Sequence, residues 1–141
     1  MDIRRISDTY AVSPQIDASD VALIAEAGFG TIICNRPDAE VMPMQQAAAI
    51  EEAAKNAGLA FVINPVTHQG LNMSMVTLQR ETIETAGKPV FAYCASGTRS
   101  TIVWALGQAG NLPTDDIVTA AMAQGYDIAG LRPQIDSLAG D

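Results

Sequence analysis

Short continuous apolar runs along this chain alternate with stretches in which apolar residues return every three or four positions. The first runs, Ile3 to Ile6 and Thr9 to Ser13, flank Ser7-Asp8 and predict a hairpin at one sheet edge. Asp17 predicts the cap of a helix with Val21, Ile24 and Ala25 on one face and a stop at Gly28. Thr31-Ile32-Ile33-Cys34 reads as a strand buried on both faces, ended by Asn35-Arg36-Pro37-Asp38. Pro43 predicts the first turn of a helix that carries Ala47, Ile50, Ala54 and Ala57 inward and ends at Gly58. Leu59 to Ile63 is the next predicted strand, and a helix from about Ser74 to Ala86 follows, with Met75, Leu78, Thr82 and Ile83 at helical spacing. Pro89 to Cys94 predicts a further strand. The remainder reads as three helices: Arg99 to about Ala109, Asp115 to Gln124 capped by Thr114, and Leu131 to about Leu138 with Pro133 at its start.

This alternation predicts an α/β fold: a single domain over residues 1–141, with a mainly parallel central sheet of about five strands and helices on both faces. Ligands of such folds sit beyond the carboxyl ends of the strands, which is where Cys94 falls. Composition agrees, since 48% of residues are apolar and only 17% charged, a balance that argues against disorder. A net charge of −8 argues against nucleic acid or an anionic membrane surface as the main partner. The start, Met1-Asp2-Ile3-Arg4-Arg5-Ile6, has no apolar signal region, and no long apolar run follows, so a cytoplasmic location is expected. Two cysteines, Cys34 and Cys94, are too few for a zinc site or a disulfide framework, and the sequence predicts no metal and no cofactor.

The chemistry concentrates in Cys94-Ala95-Ser96-Gly97-Thr98-Arg99-Ser100. A tight loop running from a strand into a helix N-terminus aims backbone N–H groups inward and makes a seat for an anion. The same field, with a neighbouring arginine, favours the thiolate of Cys94, expected to face outward over the amides from Ala95 to Arg99. Arg99 opposes the helix dipole, so a functional role is expected: a bidentate grip on an oxyanion. Gly97 predicts a close approach that a side chain would block, and Ser100 a hydrogen bond to the thiolate or ordinary capping. Other candidates are weaker. The lone His68, and Arg36 with Asp38 in a turn on the same sheet edge, are possible second-rank site residues. Cys34 reads first as a core thiol and second as a resolving one. Met42, Met44, Met73 and Met75 flank the loops that border the cleft, either as adaptable walls or as core filler. Trp104 and Tyr126 are expected to pack the helical layer, with Asp127 capping the last helix.

The Cys94 loop resembles those of rhodanese-type sulfurtransferases and cysteine-dependent phosphatases. Ile6-Ser7-Asp8, Val12-Ser13 with Gln15-Ile16, Asn35-Arg36-Pro37-Asp38, Asn64-Pro65-Val66, the loop itself and Gly125-Tyr126-Asp127 together resemble the beta-lactamase-hydrolase-like family of phosphatase-fold domains. The resemblance implies a dual-specificity-phosphatase-like fold, a bacterial origin, and a fused or neighbouring persulfide-oxidising metallo-hydrolase as partner. Two features separate the chemistries. Four residues lie between Cys94 and Arg99, as in sulfurtransferase loops, whereas phosphatases of this kind have five. No aspartate occurs between Asp38 and Asp115, so the acid such phosphatases use to protonate the leaving oxygen is missing. The expectation is therefore a rhodanese-like sulfurtransferase that takes sulfur from thiosulfate or a low-molecular-weight persulfide through Cys94. The alternatives are a phosphatase working through a phosphocysteine and a non-enzymatic anion-binding module.

Overall fold

Five short strands hydrogen-bond into one sheet in a computed structural model that describes residues 1–67 and 69–140. They are β1 (Arg4–Ser7), β2 (Tyr10–Ser13), β3 (Thr31–Cys34), β4 (Ala60–Ile63) and β5 (Val90–Tyr93), in the order β1-β2-β5-β3-β4. Only β1 runs antiparallel, through the hairpin the sequence predicts. The other pairings are parallel, and their register sets Ser13 beside Tyr93, Tyr93 beside Cys34 and Cys34 beside Ile63. All four strand ends thus finish level, and the loops that leave them share one edge.

The helices are α1 (Val21–Glu26), α2 (Ala47–Asn56), α3 (Met73–Thr85), α4 (Thr98–Gly107), α5 (Thr114–Ala123) and α6 (Arg132–Leu138). Strand residues alternate between two cores, as a pleated sheet buried on both faces requires. Val90 and Ala92 join a core with Val76, Val103, Trp104, Ile117 and Ile135, while Phe91 and Tyr93 join one with Val21, Ile24, Ala47 and Ile50. Central position makes β5 buried throughout, and Cys94 is the first residue beyond it.

Four expectations need correction. Thr114 is the first residue of α5, with Pro113 in the capping position. Pro43 opens a separate single turn, Pro43–Gln45, and α2 begins only at Ala47, because Gln46 is extended at ψ 159°. Ala57 is exposed beyond the end of that helix. On α3 the buried positions are Val76 and Gln79, whereas Leu78 is 39% exposed and Met75, Thr82 and Ile83 are half-buried. The helix presents a glutamine inward because a polar network waits for it at the strand ends. Among the described residues, no helix is long and apolar enough to cross a membrane.

Candidate active site

Cys94 leaves β5 into a turn tied back to the end of β2: its N–H reaches the Ser13 carbonyl at 3.5 Å, and the Gln15 N–H donates to the Ala95 carbonyl at 3.2 Å. The turn ends at Gly97, whose φ of +98° lies in the left-handed region that glycine adopts without strain. Thr101 then donates to the Gly97 carbonyl through both its N–H (3.0 Å) and its hydroxyl (2.8 Å), which starts α4. Within this turn the Gly97 N–H donates to Cys94 Sγ at 3.1 Å. The helix N-terminus adds its positive dipole end to the same place.

Contrary to expectation, the sulfur does not face outward. Cys94 is 0% exposed, as the floor of a turn whose exposed residues are Ala95, Ser96 and Thr98. The loop also spends one expected amide on itself, since the Thr98 N–H donates to Ser96 Oγ at 3.3 Å and the two hydroxyls meet at 2.9 Å.

Arg99 is 5% exposed and fully organised. Its Nη1 donates to Glu40 Oε2 at 2.9 Å and to the Val66 carbonyl at 2.8 Å, and its Nη2 donates to Glu40 Oε1 at 2.8 Å. A guanidinium has five N–H donors in a rigid fork. With both Nη1 hydrogens and one on Nη2 so engaged, the Nε–H and the second Nη2–H remain, and these two lie parallel along one edge. That edge is a complete bidentate grip for an oxyanion, without a partner among the described residues. Glu40 also accepts from Arg36 Nε at 3.0 Å, and Arg36 Nη1 donates to Gln15 Oε1 at 3.3 Å. Arg99, then Arg36, hold the Glu40 carboxyl below the usual carboxylate range, and Glu40 in turn raises Arg99. The pair also offsets the cost of a cation in the first turn of α4.

Ser100 does not reach the thiol. Its hydroxyl donates to Asn35 Oδ1 at 2.8 Å, because Asn35 is held in place by paired amide contacts with Gln79 (2.9 and 3.0 Å). Gln79 also donates to the Tyr10 hydroxyl at 2.9 Å and accepts from Asn64 at 2.9 Å, while Tyr10 donates to the Ser100 carbonyl at 2.7 Å. This buried ring joins Tyr10 at the start of β2, Asn35 and Asn64 just past β3 and β4, and Gln79 of α3 to the start of α4.

The weaker candidates separate. Arg36 adjoins the site through Glu40, but Asp38 Oδ1 accepts from the Ala47 N–H at 2.8 Å and so caps α2. His68 lies outside the described residues. Cys34 packs in the core with Phe91 and Tyr93, its thiol donating to the Arg36 carbonyl at 3.3 Å, and burial pushes that thiol's pKa up. Met42, Met44 and Met73 are exposed rather than core filler, at 70%, 74% and 50%. Tyr126 packs against the helical core as expected, but its hydroxyl also donates to the Ser96 carbonyl at 2.8 Å. Sequence reasoning missed Glu40, Val66, Gln79 and that hydroxyl. The one available signal was the Arg36 to Glu40 spacing of an i,i+4 ion pair.

Fold and site together define a cysteine-phosphatase-like α/β domain. The chain belongs to the family described as "Beta-lactamase hydrolase-like protein, phosphatase-like domain", whose model matches residues 2–111. Proteins named beta-lactamase hydrolase-like protein from Xylella fastidiosa (strain Temecula1) and Agrobacterium fabrum are 29% and 28% identical over 130 and 126 residues, covering 91% and 88% of this chain. The chain spans about 30% of the length of these curated relatives. A solved "putative phosphatase" from Neisseria meningitidis is 34% identical with a TM-score of 0.84, covering 98% of this chain and 99% of that one. Tk-PTP, 16% identical with a TM-score of 0.76 over 98% of this chain and 94% of its own, shares the fold.

Proposed function

We propose that this domain is a cysteine-dependent phosphatase. The observation that carries the reading is the bidentate edge of Arg99 that has no partner among the described residues, on a guanidinium held by Glu40 and Val66 and on the helix that begins beside Cys94. The family and the fold support the same chemistry, whereas nothing in them supports the sulfurtransferase expectation. In the proposed reaction Cys94 Sγ attacks phosphorus, forming an S–P bond as the bond to the leaving oxygen breaks. Water then attacks the phosphocysteine, releasing inorganic phosphate and restoring the thiolate. Arg99 and the loop amides stabilise the charge on the transferring group. Because Cys94 has no exposed surface, the groups that cover it must part before substrate reaches the sulfur.

Neither of the two carboxylic acids that follow β3 is free to protonate the leaving oxygen. Glu40 is ion-paired and Asp38 is a helix cap. The reading therefore specifies substrates whose leaving groups depart without help, such as aryl phosphates or phosphoanhydrides. The four-residue spacer and the missing aspartate keep persulfide transfer as the second reading, and with it the partnership with a metallo-hydrolase. A paired assay decides: aryl phosphate hydrolysis against thiosulfate-to-cyanide transfer, each repeated with Cys94→Ser. Hydrolysis that vanishes in the variant supports the phosphatase, and sulfur transfer without hydrolysis overturns it.

A further inference from the structure

The peptide unit between Ser96 and Gly97 is held at both polar atoms. Its N–H donates to Cys94 Sγ at 3.1 Å, and its carbonyl accepts from the Tyr126 hydroxyl at 2.8 Å. In a planar trans peptide these two groups point in opposite directions, so fixing one fixes the other. Gly97, at φ +98°, belongs to the residue type that tolerates either sign of φ, so the φ change that turning this unit over requires carries no steric penalty at Gly97. Turned over, it would aim a carbonyl oxygen at the sulfur and repel both the thiolate and any anion above it.

We propose that Tyr126 is a positioning residue whose hydroxyl latches the Ser96–Gly97 peptide with its N–H toward Cys94, and so keeps the anion seat in its working orientation. The inference rests on reading Cys94 as the nucleophile, whichever group it transfers. Three observations support it. Tyr126 is 6% exposed and clamped: the Arg4 guanidinium lies 5.1 Å from its ring centroid, and Arg4 Nη1 donates to the Gln124 carbonyl at 3.2 Å. Burial raises the phenol pKa, so the hydroxyl keeps its proton to donate at neutral pH. The fit is also tight, since a Cβ built on Gly97 would stand 2.1 Å from the Tyr126 oxygen. The glycine is thus required by the latch as well as by its own backbone angle.

Tyr126→Phe removes the hydroxyl and keeps the ring. Its test is the ultraviolet thiolate absorbance of Cys94, obtained by difference from the matching Cys94→Ser protein and followed against pH, together with kcat/KM on an aryl phosphate. The thiolate of Tyr126→Phe is expected to develop at higher pH than that of the wild type, with kcat/KM about tenfold lower, the scale of one hydrogen bond to a charged group. A thiolate titration that overlays the wild type overturns the latch. If Tyr126→Phe does not fold, Arg4→Met, which loosens the ring from behind, is expected to move the titration in the same direction, and no movement there is equally fatal. The outcomes remain distinct: hydrolysis with an unmoved titration rejects the latch and keeps the phosphatase, whereas a moved titration without hydrolysis keeps the latch and rejects the phosphatase.

Discussion

Glu40 decides what Arg99 can do. By occupying one edge of the guanidinium it leaves the Nε edge without a partner among the described residues, and it is itself held by Arg36. Glu40→Gln keeps the shape and removes the charge, so a mobile Arg99 is expected, with kcat/KM for an aryl phosphate about tenfold lower, as steady-state kinetics would show. The pH dependence has a definite sign. A carboxylate whose folded pKa is depressed stabilises the fold fully above its unfolded value, about 4.3 for glutamate, and loses that contribution as pH falls through the lower folded value. Melting temperatures taken from neutral pH downward should therefore fall more steeply for the wild type than for Glu40→Gln in the acid range. At this scale the sequence was half legible. Cys94 and Arg99 stand in one motif, but Glu40 lies 59 residues before Arg99, and nothing local announces that they meet.

Two elements carry the geometry: the turn from β5 into α4, and the inner face of α3. Gly97→Ala forces a side chain into the left-handed region and into the Tyr126 hydroxyl, with an expected cost of about 1–3 kcal/mol by urea unfolding and loss of turnover. Gln79→Leu is nearly isosteric, yet it strips partners from Asn35, Asn64 and Tyr10 together. It should lower stability by about 1–3 kcal/mol in the same measurement, because buried polar groups left unpaired keep their desolvation cost. The strands were readable because β-branched and aromatic runs between turn residues have few other readings. Helical phase on α3 was not. Apolar spacing pointed to Leu78 and Ile83, while the interior accepts Gln79 because its amide is fully satisfied there. Periodicity counts hydrophobes and is blind to a buried polar ring.

Across the whole molecule, parallel strands that end level bring loops from four places in the chain to one edge, which explains why residues as distant as Gln15, Glu40 and Val66 converge on seven consecutive residues, to which the segment after α5 adds Tyr126. Alternation of strands and helices made that architecture legible, including the place of Cys94. It could not reveal that the closed edge buries the sulfur, since burial depends on how the loops pack and not on which residues they contain. The ion-paired state of Glu40 and the capping role of Asp38 have a consequence at this scale. Rates on a series of phosphate esters should fall steeply as the leaving group becomes more basic, and alkyl phosphates should be poor substrates; a flat series would show that a proton is being delivered. The most direct measurement is mass spectrometry of protein quenched in acid during turnover of an aryl phosphate. A phosphoryl group on the peptide that carries Cys94, absent in Cys94→Ser, is the predicted result, and hydrolysis that continues undiminished in Cys94→Ser would contradict it.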